Sequence, residues 1–287
     1  MRKNLPSAIL VFMFIFISFR CEAAQLYGDR AGKDDPVRIA EFLNSPAIQL
    51  LLVSINTVIE DAVDSPPAWQ TLSARTEEER AALAAQGAMI PFDLVLTSDE
   101  LVVGELFAQG ELRSAFPIFS EELILVGPSG DVSGLNAEGI MGKIFSEELH
   151  FVNLMYNAWV WESERRLWSA AGVERPGDNK NYIESSRNDV TALFQAGDEG
   201  AYALVGEGSF AQYSDAQGED AALVKIVGTG IYRKCYLCVT KSPASRLQRA
   251  AAAESLGVWF RSEGFREAID NFEIGGVKAF KSAPPLY

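Results

Sequence analysis

The chain has 287 residues, of which 48% are hydrophobic and 22% are charged, a composition typical of a folded globular protein. Its formal net charge of −14 argues against a nucleic-acid partner, because phosphate contacts require a basic surface. His150 is the single histidine, which removes most of the metal and acid–base chemistry that relies on several histidines. We therefore predict no metal site and no cofactor.

The first 23 residues have the parts of an export signal. Arg2 and Lys3 supply positive charge, an apolar run covers residues 8–19, and small residues stand at the cleavage position after Ala23. The apolar run is shorter than the ~18 residues that span a bilayer. We predict a signal peptide over residues 1–23 and a soluble protein outside the cytoplasm. A membrane anchor and lipidation at Cys21 are the alternatives.

The next part of the chain predicts strands and helices in alternation. β-forming residues predict strands at residues 37–40, 69–72 and 92–96. Capping and turn residues predict helices at about 46–63, 76–86 and 99–109. This βαβαβα order favours a mostly parallel sheet covered by helices, which binds ligands beyond the carboxyl ends of its strands.

Two extended segments then bracket the middle of the chain. Residues 122–127 and 230–240 predict long strands that could connect two lobes. Between them we predict, in order, a strand at 151–152, an aromatic-rich turn, a helix at 162–171, a loop, a helix from 190 and a strand at 200–204. Helices are expected again at 245–261 and 264–272.

The predicted fold is α/β and two-lobed, with mixed, mostly parallel sheets covered by helices and with two hinge strands. Lobe 1 would comprise residues 24–122 plus 232–287, and lobe 2 residues 123–231. The hinges would lie near 120–127 and 228–240. Cys235 and Cys238 are three residues apart in a predicted strand, so they face opposite sides. That separation favours two buried thiols over a disulfide or a metal half-site.

Several segments in a shared order resemble a known family. They are FDLVLTSDE at 92–100, EELILVGP at 121–128, ERRLWSAAG at 164–172, TALFQA at 191–196, GAYALVGEGSF at 200–210 and WFRSEGFREAI at 259–269. Together they resemble the tungstate-type members of the type II periplasmic solute-binding proteins, the receptors of ABC importers. The resemblance covers most of residues 90–275. It implies a monomer that closes two lobes over a small ligand and meets a permease in the inner membrane.

The family's chemistry is capture of an oxyanion by neutral donors and one arginine at helix N-termini. The segment that follows the predicted strand at 151–152 departs from the family pattern. The family's arginine corresponds to Leu154, and its Ser-Gly-Thr donors correspond to Ala158, Trp159 and Val160. The resemblance thus implies a tungstate- or molybdate-like ligand, and the altered segment adds another small organic or anionic ligand as a possibility.

Candidate ligand-binding residues lie where loops would face the cleft. Arg187, beside Ser186 and Asn188, could replace the lost cation, or the segment could simply begin a helix. Tyr156 and Trp159 could line a cleft for an organic ligand, or fill a core. The full candidate set is Ser45, Ser73, Ser98, Asn153, Tyr156, Trp159, Ser186, Arg187 and Asn188. Glu207, if it faces the ligand, would favour an amine or a cation.

Two functions follow from these observations. The first is an extracytoplasmic binding protein that delivers a small solute to an ABC importer by hinge closure, with no chemical step. The second is a periplasmic sensor or interaction module of the same fold that takes no part in transport. We predict no enzyme, because no nucleophile elbow, phosphate-binding loop or paired-carboxylate motif is present.

Overall fold

A computed structural model describes residues 37–42, 47–52, 54, 69–73, 93–98, 100–130, 132, 134–154, 158–185, 188–241 and 247–284. The predicted signal peptide and the predicted helix at 76–86 lie outside these residues. In the described part of the chain, no helix is both long enough and apolar enough to cross a membrane.

The described residues form one mixed sheet with helices packed on it. Its strands are β1 Val37–Phe42, β2 Trp69–Ser73, β3 Leu94–Thr97, β4 Leu112–Gly127, β5 Phe151–Leu154, β6 Tyr182–Ser185, β7 Tyr202–Gly206, β8 Val224–Thr240 and β9 Phe280–Ser282. The helices are α1 Glu100–Ala108, α2 Ala137–Ser146, α3 Ala158–Ala170, α4 Asp189–Glu199, α5 Glu207–Gln217, α6 Leu247–Trp259 and α7 Glu263–Asn271. Residues 47–52 are helical as well.

The strand order across the sheet is β2-β1-β3-β8-β4-β7-β5-β6, and β9 pairs with β4. β1 is parallel to β2 and β3, and β5 is parallel to β6 and β7. β4 and β8 run antiparallel to each other and to their outer neighbours β7 and β3. Each end of the sheet is therefore parallel, as predicted, and an antiparallel central pair joins the two ends.

The central strands are longer than the sequence predicted. β4 begins at Leu112 rather than at residue 122, and β8 begins at Val224 rather than at residue 230. Pro117 lies inside β4 at a register irregularity between Pro117 and Phe119. A proline cannot donate to a sheet ladder, so it is tolerated where the pairing is interrupted.

Two hydrophobic cores lie along this central pair. The first includes Ile48, Phe119, Leu237 and Phe260, and the second includes Leu125, Phe151, Trp168 and Leu193. β4 contributes to both cores, because Phe116, Ile118 and Phe119 belong to the first and Leu123 to Val126 to the second. The central pair is thus the structural connection between the two cores.

The cysteine prediction is confirmed. Cys235 and Cys238 are both buried thiols that form no disulfide. Cys235 packs in the first core, whereas Cys238 packs with Val95 and Leu112 in a smaller cluster. Burial raises the pKa of the Cys238 thiol to about 12, so it stays protonated at neutral pH.

Four local predictions for the middle of the chain are wrong or incomplete. α3 begins at Ala158, so the residues expected in an aromatic-rich turn include the first turn of a helix. β6 occupies a segment predicted as a loop, and among the described strands it pairs with β5 alone. α5 begins at Glu207, where a loop was expected. Its cap residue is Gly206, which has no side chain that could mark a helix start in the sequence. α2, capped by Asn136, was not predicted.

Candidate functional site

The carboxyl ends of the two parallel regions face the same part of the central pair. Thr97, which ends β3, is paired with Tyr236, and Gly206, which ends β7, is paired with Leu123. Between these two positions Glu121 of β4 pairs with Arg233 of β8. Ligands of open α/β sheets bind beyond the carboxyl ends of the strands. The register therefore indicates the segment around Glu121 and Arg233 as the candidate site.

Three helices begin at the carboxyl edge on one side of this segment. α3 follows β5, α4 follows β6, and α5 follows β7 directly. The N-terminus of a helix carries a partial positive charge and free N–H groups, which favour anions. The side chain of Asn188 caps α4 by accepting a 3.0 Å bond from the Thr191 N–H, whereas α5 has no side-chain cap from its own Gly206.

A buried ion pair occupies the segment. Arg233 Nη2 donates to Glu121 Oε2, and both side chains are almost fully buried, with 2% and 1% exposure. The other carboxylate oxygen, Glu121 Oε1, accepts a 2.9 Å bond from the backbone N–H of Gly208, in the first turn of α5. Charge-assisted bonds of this kind are stronger than neutral ones.

Arg233 has further neighbours in the first turns of two other helices. Its guanidinium carbon lies 5.4 Å from the ring centre of Trp159 in α3, within the range of a cation–π contact. Burial alone would lower the pKa of Arg233, but the attraction of Glu121 and of Asp189 in α4 raises it above its ordinary value. Asp189 also accepts a 3.3 Å bond from the Ser209 hydroxyl. Arg233 thus contacts the start of α3 directly, and it is linked to α5 through Glu121 and to α4 through the attraction of Asp189.

A second buried carboxylate, Glu164 of α3, lies within the second core. It accepts bonds from Asn153 Nδ2 at 2.7 Å, Trp168 Nε1 at 2.9 Å and the Tyr182 hydroxyl at 2.8 Å. All three donors are neutral. Burial raises the pKa of Glu164 to about 7, although these hydrogen bonds act in the opposite direction. Asn153 Oδ1 is buried without a hydrogen-bond partner among the described residues.

The predicted candidates occupy different environments. Trp159 is half-buried and contacts Arg233, and Ser98 is half-buried at the end of β3. Asn153 is fully buried and bonded to Glu164, and Asn188 uses its side chain to cap α4. Ser73 is the last residue of β2. The remaining candidates lie outside the described residues: Ser45, Tyr156, Ser186 and Arg187.

Three further positions have clear structural roles. Leu154, which corresponds to the family's arginine, is fully buried in the second core. Glu207 forms an ion pair with Lys225 at the start of α5. His150 lies with its Nδ1 3.1 Å from the carbonyl oxygen of Glu199.

Glu121, Arg233 and Glu164 were not predicted as site residues. For Arg233 the sequence contains one indication. It stands in an alternating strand with Cys235 and Leu237 on the same face, so a buried charge could be expected there. A buried charge requires a partner, but its identity depends on the register with β4, which the pattern does not contain. Within the described residues no group of three or more histidine, cysteine or acidic side chains could hold a metal ion.

No protein-family model and no curated protein matches the chain. Solved structures are similar to it over nearly their whole length. The tungstate-binding protein TupA from Desulfovibrio alaskensis has a TM-score of 0.72 and 15% identity, with 87% of this chain and 99% of TupA covered. A tungstate ABC transporter structure from Geobacter sulfurreducens has a TM-score of 0.63 and 16% identity, with coverages of 83% and 99%.

A periplasmic molybdate-binding protein from Azotobacter vinelandii has a TM-score of 0.57 and 14% identity, with 87% of this chain and 100% of that protein covered. The structural similarity establishes the fold, whereas identities this low leave the ligand open. The long central strands, the two cores and the parallel outer regions agree with the same architecture. The chain therefore has the two-lobed α/β fold of the tungstate- and molybdate-type periplasmic binding proteins.

Proposed function

We propose that the protein is an extracytoplasmic solute-binding protein of an ABC importer, which captures a small solute by closing two lobes. The observation that carries this proposal is the convergence of both parallel regions on the Glu121–Arg233 segment, with three helix N-termini beside it. Such an edge offers free N–H groups and a crevice to a ligand. The similar structures are named for binding or transport rather than for catalysis, which supports a protein without a chemical step.

The lobes of this proposal are residues 24–122 plus 232–287 and residues 123–231, with hinges near 120–127 and 228–240. β4 and β8 fit the hinge role, because each passes from one core to the other without interruption. Hinge closure concentrates backbone rotation in a few residues of such connections. Residues 1–23 would be removed on export, which a mass measurement of the secreted protein would test.

The ligand would contact the first turns of α3 and α4 and the end of β3. Trp159 and Ser98 are described candidates there, and the proposed contacts also include Ser73 at the end of β2 and the candidates outside the described residues: Ser45, Tyr156, Ser186 and Arg187. Asn153 and Asn188 would act by supporting the ligand contacts, since their side chains already bond to Glu164 and Thr191. A tungstate- or molybdate-like oxyanion and a small organic solute are both compatible with donors of this type.

A solute screen by thermal unfolding tests the proposal. Oxyanions, amino acids, amines and organic acids would be added one class at a time to the secreted protein. A solute present at 100 times its dissociation constant adds ~2.7 kcal/mol to the free energy of unfolding. Protection by one class, followed by uptake of that solute in cells with and without the gene, supports import. Unchanged unfolding with every class would count against it.

Two tryptophans give a matched pair of variants with which to test binding of the solute that stabilises the protein in this screen. Trp159→Phe replaces the indole beside Arg233 with a smaller ring, and we expect about tenfold weaker binding together with loss of the ligand-dependent fluorescence change. Trp161→Phe is the control, because Trp161 is 38% exposed and stacks on Arg165 of its own helix. Equal effects of the two substitutions would place the ligand away from α3.

A periplasmic sensor or interaction module remains the second candidate. It is favoured by the ion pair, because internal side chains already use one helix N-terminus at the candidate site. Solute-dependent unfolding without any change in uptake would support this second function over the first.

A further inference from the structure

The start of α5 forms a cradle around the Glu121 carboxylate. A Cβ atom at Gly206 would lie 2.4 Å from Glu121 Oε1 and 2.8 Å from Oε2. A Cβ atom at Gly208 would lie 3.0 Å from Oε1. Non-bonded atoms do not approach to 2.4 Å, so the first glycine must lack a side chain for the carboxylate to sit there. The close approach belongs to a carboxylate held against the backbone of the strand–helix turn.

The partners of this carboxylate are those of a bound anion. One oxygen accepts the 2.9 Å bond from the Gly208 N–H at the helix N-terminus, and the other accepts from the Arg233 guanidinium. A helix N-terminus combined with an arginine is an effective binding site for carboxylates and oxyanions. Arg233 Nε is also buried and has no hydrogen-bond partner among the described residues, which leaves one donor unused.

The carboxylate is also at the junction between the two cores. Glu121 and Arg233 are cross-strand partners on β4 and β8. α5, whose N-terminus holds the carboxylate, places Ala211 in the first core and Tyr213 in the second. The anion position is therefore part of the proposed binding cleft rather than of a distant surface.

We propose that Glu121 is an internal ligand, which occupies the anion position at the N-terminus of α5 and excludes free oxyanions from it. The inference rests on the proposed function, because it specifies what the same cleft rejects. Glu121 already balances the charge of Arg233. A free anion could therefore reach Arg233 only by displacing the Glu121 carboxylate. The position beside α5 is thus closed to tetrahedral oxyanions and small carboxylates, and a ligand of the cleft must use the other donors.

Chemical rescue tests this assignment. Glu121→Ala removes the carboxylate and leaves the Gly208 N–H and Arg233 without it, so an added anion should take its place. Formate serves as the small carboxylate and molybdate as the tetrahedral oxyanion. We expect the unfolding temperature of the variant to rise by about 5 °C or more at saturating formate. Half of the molybdate-dependent rise in the unfolding temperature of Glu121→Ala should occur at a concentration at least about tenfold below that for the wild-type protein.

Glu122→Ala is the matched control. Glu122 is the next residue of the same strand, and its Oε1 accepts a 3.1 Å bond from the Gly230 N–H, while Arg233 keeps its partner. This variant should respond to formate and molybdate as the wild type does. The double variant Glu121→Ala/Arg233→Met should lose the rescue, because it lacks the cation that holds the anion.

Every outcome bears on the assignment. Folding of Glu121→Ala only in formate supports it, because the anion then restores the missing partner. Failure of formate to restore or stabilise this variant, while the isosteric Glu121→Gln variant folds, overturns it. Tight molybdate binding by the wild type, unchanged in Glu121→Gln, also overturns it and leaves the proposed solute-binding function intact. Rescue of Glu121→Ala, with no solute protecting the wild type, supports the internal ligand and weakens the transport proposal.

Discussion

Two glutamates are buried in the part of the chain that the structure describes, and their surroundings differ. Glu121 lies between the two cores beside a guanidinium and a helix N-terminus. Glu164 lies inside the second core and receives hydrogen bonds from an amide, an indole and a phenol, all of them neutral. Both side chains are almost completely removed from water.

The comparison shows that burial alone does not determine what a carboxylate does. With a cation next to it, Glu121 forms an ion pair that connects strands and helices. Without a cation, Glu164 meets the desolvation cost with hydrogen bonds alone, and its pKa rises to about 7. The first glutamate is held by an arginine and a helix N-terminus, and the second is a group whose pKa lies near neutral pH.

The largest expected effect comes from breaking the ion pair. Arg233→Met leaves the Glu121 carboxylate buried without its cation, and we expect a loss of about 3–5 kcal/mol in the free energy of unfolding. Urea unfolding at pH 8 measures it. In the double variant Glu121→Gln/Arg233→Met no charge is left unbalanced, so the loss should be smaller than for Arg233→Met alone. A double variant less stable than either single variant would show that the pair is not the dominant interaction.

The next effect concerns the pH dependence that Glu164 adds. Its pKa is raised from 4.5 to about 7, so between these values the folded protein keeps a proton that the unfolded chain has lost. The free energy of unfolding therefore falls as the pH rises from about 4.5 to 7, by roughly 3 kcal/mol, and the stabilisation is fully present only below 4.5.

Glu164→Gln removes this titration, because glutamine stays neutral. Its stability relative to wild type should improve by roughly 3 kcal/mol between pH 4.5 and pH 8 in urea unfolding. Rotation of the Asn153 amide would bring its unpaired Oδ1 to the new donor. Glu162→Gln is the control on the same helix, since Glu162 is exposed, and it should follow the wild type at every pH. Parallel curves for all three proteins would mean that Glu164 does not titrate in this range.

The smallest effect tests the close approach of Glu121 to α5. Gly206→Ala places a methyl group against the carboxylate, and we expect a loss of about 1–3 kcal/mol from the resulting shift. Gly177→Ala is the control, because nothing lies within 4 Å of the added atom. It should change the free energy of unfolding by less than about 1 kcal/mol. Equal losses at the two glycines would argue against a tightly held carboxylate.

Much of the fold could be predicted from the sequence because local patterns specify it. The β-forming runs at β1, β2 and β3 and the helix α1 stand where the residues indicate them. β6 could not be recognised in the same way, since it is short and stabilised by pairing with β5. α5 lacks a capping side chain, and Glu121 supplies the acceptor for its first turn from a distant strand.

The candidate site was harder to predict for the same physical reason. The partners Glu121 and Arg233 are brought together by the register of β4 and β8, which results from the whole sheet. Trp159 was proposed as a ligand contact from its type and position. Its contact with Arg233 depends on where α3 begins, one turn earlier than the sequence indicated.

The division of the molecule into two cores has a consequence for its synthesis on the ribosome. The buried residues of the second core come from one continuous stretch, from Leu123 to Leu223. The first core needs residues from Ala47 onwards together with members that follow Cys235, up to Phe280. A nascent chain emerges from its amino end and folds as units become complete. The second core can therefore assemble first, because the first-core residues near Ala47 need partners that are synthesised later, up to Phe280.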